Sequence, residues 1–353
     1  MRHKVLFYAG VGLLAAGLLG IAIVVMAQPR PRLGDRPLRP VVTQVRYQLD
    51  IRLQGGMTVE KLAETMPRSL PYYKASVDMG TSRAVASRLA GFLKVNGDMK
   101  AAEEGLQATE EGEAEVEVFE ASGAVFGADM GRLWAKIPEQ PTRGLTPETA
   151  KTQAVEFLRQ MGVDIGQEYT AEARQDLVTI TERGGRPRRI PGPFQVSVRP
   201  RLNGYPTVGG GEKAKVFYDD DGKIAGCLVV RRALSPDKTG ELLDVREAVK
   251  RLAEGGALEH LTLTRPDRIV ISEISVAYYG RAAAEEQGFV QPVYVFRGTA
   301  TGTEGNETWR TPYMQYVAAL KSPPESVYEP PSTEDSDEKV EGDMSAEGPE
   351  DES

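Results

Sequence analysis

The residues that most invite a chemical interpretation lie in the stretch LNGYPTVGGGEKAKVFYDDDGKIAG, residues 202–226. A phosphate loop needs the spacing G-x-x-x-x-G-K-[ST], and a calcium loop needs spaced acids that end in Glu, so neither motif is present. Asp221-Gly222 lies between two runs of alternating apolar and polar residues, which is the pattern of a tight β-hairpin. Gly209–Gly211 are expected to allow a bend or a close backbone approach. The stretch predicts a hairpin, and a divalent cation at residues 219–221 is the alternative.

Histidine and cysteine are scarce, because the sequence contains only His3, His260 and Cys227. A Ser-His-Asp or Cys-His catalytic group would need His260, which lies in a polar segment typical of the surface. A single cysteine allows neither an intramolecular disulfide nor a cysteine-based zinc cluster. Carboxylates are abundant and could serve a hydrolase, but none lies in an obviously apolar motif. We therefore predict no catalytic residue, no metal ligand and no cofactor.

Aromatic residues are concentrated near the end of the folded part of the chain. Their spacing along strand-like segments favours packing within a sheet. The alternative is an aromatic groove that binds a peptide or a glycan. The members of this candidate binding surface are Tyr278, Tyr279, Tyr294, Trp309 and Tyr313.

The segment Val5 to Ala27 contains no charged residue. As a helix it would reach roughly 35 Å, which is enough to cross a hydrocarbon core of about 30 Å. We predict a cytoplasmic leader at 1–4, a transmembrane anchor at 5–27 in contact with lipid, and a Pro/Arg linker at 28–40. The alternative is a cleaved signal peptide, since Val25-Met26-Ala27 fits a cleavage site. The basic leader favours a cell-membrane protein with an extracytoplasmic large domain, although the arginines of the linker favour the opposite orientation.

Charge is unevenly distributed along the chain. The net charge is −8, and residues 325–353 carry twelve acids against one base, so that the remainder is mildly positive. A dedicated nucleic-acid-binding protein would need a concentrated basic face, and we therefore predict no nucleic-acid partner. The segment 321–353 is rich in Ser, Pro and Glu and is predicted to be a disordered acidic tail.

Helix and strand patterns alternate between the linker and the tail. Thr146 and Pro147 begin one helix, Asp244 begins another, and each is followed by strand patterns joined by short turns. Short turns join antiparallel strands, and the sequence therefore predicts the α+β class, with helices packed on antiparallel sheets. We divide this part into an N-terminal α+β region at 41–143 and two similar units at 144–320.

These elements carry a resemblance to a known family. The helix TPETAKTQAVEFL, the hairpin NGYPTVGGGEKAKVFYDDDGKIAG and the helix DVREAVKRL resemble the PepSY-type extracytoplasmic module, and VAYYG with QPVYVFRG is similar to the last module of YycI-like membrane-anchored regulators. The resemblance implies two PepSY-like modules over 144–320 after one transmembrane helix. It also implies a binding or regulatory protein that acts on an envelope protein or peptide. An envelope hydrolase that uses carboxylates and a propeptide-like protease inhibitor remain the alternatives.

Overall fold

The computed structural model describes only part of the chain. The described residues are 48–95, 100–101, 105–109, 114–134, 144–180, 188–258, 266–304 and 307–324. The predicted leader, anchor and linker, His260, and the tail from residue 325 onward lie outside them. In the ranges that are described, no helix is both long enough and apolar enough to span a membrane.

Five α-helices and fifteen β-strands occur in the described residues. The helices are α1 (Val59–Thr65), α2 (Met79–Leu93), α3 (Met130–Trp134), α4 (Pro147–Gln160) and α5 (Val245–Ala253). The strands are β1 (Gln48–Ile51), β2 (Ser69–Ser76), β3 (Lys100–Ala101), β4 (Gly105–Thr109), β5 (Ala114–Phe119), β6 (Val125–Asp129), β7 (Tyr169–Ile180), β8 (Arg188–Leu202), β9 (Tyr205–Gly209), β10 (Lys213–Tyr218), β11 (Ile224–Val230), β12 (Ala233–Glu241), β13 (Arg268–Gly280), β14 (Phe289–Glu304) and β15 (Glu307–Ala318).

All fifteen of these strands belong to one mixed sheet. Its order is β12-β2-β14-β13-β9-β8-β10-β11-β6-β5-β4-β3, and β1, β15 and β7 pair with β13, β14 and β8. The pairs β1–β13 and β9–β13 are parallel. The predicted fold class, helices packed on antiparallel sheets, is therefore wrong, because a single large mixed sheet dominates the fold. Strands from the first part of the chain pair directly with later ones, as in β2–β14 and β6–β11.

Helices α2 and α4 cover one face of the β7–β8–β10–β11–β6–β5 part of the sheet. Leu89, Ala154 and Leu158 are fully buried against strand residues such as Val196 and Val216. The periodic apolar positions of α4 thus form one buried stripe. The hydroxyl of Tyr218, a neighbour of Val216 in β10, donates a hydrogen bond of 2.7 Å to the carbonyl of Ala150.

Helices α1 and α5 pack on the β13–β14–β15 part. Asp244 caps α5 by accepting a hydrogen bond of 2.9 Å from the backbone N–H of Arg246, as the sequence predicts. Val245, Ala248 and Leu252 are buried against the sheet. Strand β1 lies parallel to β13 at its edge, and Asp50 of β1 accepts a hydrogen bond of 2.8 Å from Nε of Arg268. This charge-assisted bond holds the pKa of Asp50 below its ordinary value.

The predicted hairpin is confirmed by β10 and β11. The carboxylate of Asp219 accepts hydrogen bonds from the backbone N–H groups of Asp221 and Lys223, at 3.1 and 2.8 Å. Its other oxygen accepts from Nε and Nη2 of Arg132, at 3.1 and 2.5 Å. Asp219 therefore shapes the turn and ties it to α3. Across the described ranges, no group of three or more His, Cys, Asp or Glu side chains is arranged to hold a metal ion.

Candidate functional site

The candidate site begins with α4, whose start is fixed by local sequence. The hydroxyl of Thr146 accepts a hydrogen bond of 3.2 Å from the backbone N–H of Thr149, and Pro147 occupies the first turn. Ala154 and Leu158 belong to the buried stripe of the helix. A second stripe of α4 residues lies beside the buried one, on the side that faces the sheet edge. This second stripe consists of Lys151, Thr152, Val155, Glu156 and Arg159.

Strand β7 forms the sheet edge beside this stripe. Among the described strands only β8 pairs with it. The backbone N–H of Arg201 donates to the carbonyl of Glu168 at 2.8 Å, and the register places Ala171 opposite Val198. In an antiparallel pair, the backbone N–H and C=O groups of one residue bond to the partner strand, and those of the next residue point away from it. The backbone groups of Tyr169, Ala171 and Ala173 therefore point outward from the edge.

A groove lies between α4 and β7. The stripe of α4 forms one wall, and Tyr169 and Ala171 form the other. The side chains of Tyr169, Ala171 and Ala173 pack against the core under α4, and Val155 is buried, so the floor is apolar. The groove has a volume of about 240 Å³, and small-molecule sites usually hold about 300–1,000 Å³. It is therefore better suited to one or two side chains of an extended chain than to a small molecule.

A buried ionic cluster lies elsewhere, between the two helix-covered parts of the sheet. Glu212 is fully buried, and its carboxylate lies 3.6 Å from Nη1 of Arg232 and 3.9 Å from Nε of Arg231. Burial raises the pKa of Glu212 above its ordinary value, although both arginines act in the opposite direction. Burial also disfavours the charged form of Arg232 and lowers its pKa, whereas the negative charge of Glu212 acts to raise it.

Arg232 fastens the loop that joins β13 to β14. Its guanidinium donates hydrogen bonds to the carbonyls of Arg281, Ala282 and Glu285, at 3.3, 3.2 and 2.8 Å. Glu212 follows Gly209–Gly211, and the backbone N–H of Gly211 donates to the carbonyl of Gly280 at 2.7 Å. Because Glu212 is enclosed, this cluster braces the two parts of the sheet and offers no surface to a substrate.

The glycines before Glu212 are explained by close packing of backbones. A Cβ atom on Gly210 would lie 2.7 Å from the Cα atom of Ala282, which is closer than real side chains approach. Gly209 has a φ of +82°, in the left-handed region that favours glycine. This segment therefore makes the close backbone approach that the sequence predicts.

The five aromatic residues of the predicted binding surface are divided among three separate clusters. Tyr294 and Tyr313 are buried beneath α1 and α5, with Trp309 half-buried at the margin of that cluster. Tyr279 is buried in a cluster with Val208, and Tyr278 in another with Val290. Tyr278 and Tyr294 donate hydrogen bonds to the backbone carbonyls of Pro71 and Leu243, at 2.8 and 2.6 Å. These rings pack the sheet in this structure, and none of them lines the α4–β7 groove.

The groove itself was missed by sequence reasoning. The helical pattern of α4 shows which residues are buried, but it does not show that β7 will be an edge strand. That position depends on which distant strands pair with β8. The one available signal was the row of Lys151, Val155 and Arg159, which places a valine between two cations at helical spacing.

No family model and no curated protein matches this chain. Among solved structures, one similar chain is an uncharacterized protein from Eubacterium rectale, solved at 1.45 Å resolution. The two are 12% identical, and the match covers 78% of this chain and 90% of that chain with a TM-score of 0.47.

Proposed function

We propose that this chain is a single-pass, membrane-anchored binding or regulatory protein whose extracytoplasmic domain captures an extended segment of an envelope protein. The observation that carries the proposal is the edge strand β7, whose outward backbone groups lie beside an apolar-floored groove. An extended peptide can add to such an edge as a further strand.

Strand addition assigns separate roles to backbone and side chains. The peptide backbone would bond to the outward N–H and C=O groups of Tyr169, Ala171 and Ala173. Every second peptide side chain would then enter the groove against Val155, because side chains alternate along a strand. Backbone bonds would supply affinity, and the groove would select sequences. An anchor at 5–27 would confine the domain to the membrane and raise its effective concentration near membrane partners.

A proline at Ala171 tests this function. Ala171→Pro removes one outward N–H and leaves the hydrogen bonds to β8 in place, so we expect peptide binding to fall at least tenfold while the thermal midpoint shifts by only a few degrees. The probe is a nine-residue peptide with Val at position 5 and Thr or Ser elsewhere, titrated into the detergent-solubilised full chain. Binding is followed by fluorescence anisotropy, and amide hydrogen exchange reports protection across 169–173.

Met314→Pro is the matched control, because it places a proline in β15, an edge strand of the other part of the sheet. It should leave peptide binding unchanged. Protection that develops at β15 instead of β7, or binding that survives Ala171→Pro, would contradict the proposed function.

A further inference from the structure

The two cations of the α4–β7 groove are spaced like side chains of an extended peptide. Lys151 and Arg159 both line the groove and are separated by eight residues of α4, or about 12 Å along the helix axis. In a strand, residues i and i+4 face the same way and lie about 13 Å apart. A peptide paired with β7 can therefore place one side chain beside each cation.

The centre of the groove has a different character. Buried Val155 and the small side chain of Ala171 leave apolar space between the two cations. Glu156, which lies between the two cations along α4, also lines the groove, so that an acidic side chain between them would meet a like charge. The peptide residue at i+2 is consequently best matched by an apolar side chain.

Lys151 already pairs with a residue of α4, and a peptide carboxylate would have to replace that partner. Its Nζ lies 2.9 Å from Oε1 of Glu148, whose side chain is 82% exposed. An exposed pair of this kind contributes little free energy, because water screens it and ordering two long side chains costs entropy. Lys151 can therefore exchange Glu148 for a peptide carboxylate at small cost.

We propose that the groove selects an extended segment of a partner protein with the pattern acid-x-apolar-x-acid. Lys151 and Arg159 bind the two acidic side chains, and Val155 contacts the apolar side chain between them. This inference rests on the proposed function. Charge complementarity at matched spacing identifies the occupant, while the backbone of β7 supplies the pairing that any extended peptide would use.

The test compares three nine-residue peptides that share Val at position 5. Positions 3 and 7 are Glu in the first peptide, Lys in the second and Thr in the third. With the full chain in detergent, we expect the Glu peptide to bind about tenfold more tightly than the Lys peptide, since two exposed attractive ion pairs replace two repulsive contacts. The preference should weaken in 1 M salt, where charges are screened within about 3 Å.

The variant Lys151→Glu/Arg159→Glu should reverse this preference, whereas Lys250→Glu on the distant helix α5 should not change it. Equal affinity for the Glu and Lys peptides, or a preference that survives the double charge reversal, would overturn the inference. If the charge preference were absent but Ala171→Pro abolished binding of all three peptides, strand addition would be supported and only the charge pattern would be wrong. If no peptide protected β7, the proposed function would fail with it.

Two other occupants are measurable in the same experiment. A full chain that sediments as a dimer and dissociates when the Glu peptide is added would make a second copy the occupant. A synthetic peptide of residues 325–353 that competes as strongly as the Glu peptide would make the acidic tail of this chain the occupant. Either result would overturn the assignment to a partner protein.

Discussion

At the scale of single residues, the carboxylate of Glu212 is the centre of a buried ionic cluster. It is buried with two arginines, and Arg232 reaches three backbone carbonyls on the β13–β14 loop. Removing one member of a buried ion pair typically costs about 3–5 kcal/mol, because the other charge is left without compensation. Arg281 and Glu285 are the further charged groups that act on Arg232.

Arg232→Met should therefore lower the free energy of unfolding by about 3–5 kcal/mol at neutral pH. The double variant Glu212→Gln/Arg232→Met should recover part of this loss, since no uncompensated carboxylate remains. Urea unfolding followed by circular dichroism measures both variants. Equal stability of Arg232→Met and the parent protein would contradict a bracing role for this cluster.

The pH dependence of the same carboxylate has a defined sign. The pKa of Glu212 is raised on folding above its ordinary value of 4.5. Its contribution to stability is therefore fully present below pH 4.5 and is lost as the pH rises through the folded pKa. Glu212→Gln should remove this slope, so the free energy of unfolding of the parent relative to the variant should fall between pH 4 and the folded pKa. An identical pH dependence in both proteins would exclude a raised pKa.

At the scale of elements, close contact between backbones fixes how the β9–β10 segment meets the β13–β14 loop. Gly210→Ala would place a Cβ atom 2.7 Å from the Cα atom of Ala282, and the adjacent hydrogen bond from Gly211 to Gly280 holds the two backbones together. We expect a loss of about 1–3 kcal/mol in the free energy of unfolding, as is typical of overpacking.

Gly91→Ala is the matched control for this prediction. Gly91 lies on the exposed side of α2, and a Cβ atom there would meet nothing within 4 Å. Alanine should stabilise the helix by up to about 1 kcal/mol because it favours helical backbone more than glycine does. Thermal unfolding of both variants should therefore shift in opposite directions.

The elements that could be predicted from sequence are those whose signals are local. Thr146 with Pro147 marks the start of α4, and Asp244 marks the start of α5, because caps satisfy backbone groups within a few residues. The hairpin at Asp221-Gly222 was predictable for the same reason. The mixed sheet was not, because the pairing of β2 with β14 or of β1 with β13 joins residues about two hundred positions apart. The groove depends on that pairing and was missed with it.

At the scale of the whole molecule, strands from the two predicted regions, 41–143 and 144–320, share one sheet. β6 pairs with β11 and β2 lies between β12 and β14, while α2 shares one core with α4. Removal of residues 1–143 would expose the apolar face beneath α2 and leave β11 without its neighbour β6.

A fragment of residues 144–324 should therefore fail to fold by itself. We expect poor dispersion of its amide signals in nuclear magnetic resonance spectra and no cooperative thermal transition. Addition of a second fragment, residues 41–143, should restore both properties by supplying β2, β5 and β6. A cooperative transition of the 144–324 fragment alone would show that it is an independent unit.

The parallel pairing of β1 with β13 bears on how the protein would respond to mechanical load. Force from the residues before Gln48 would act along the axis of β1 and would load its four-residue ladder and the Asp50–Arg268 contact together. Hydrogen bonds that share a shearing load resist rupture better than bonds opened one after another. Tension applied to the residues before Gln48 would therefore be transmitted into β13 before β1 separates from it.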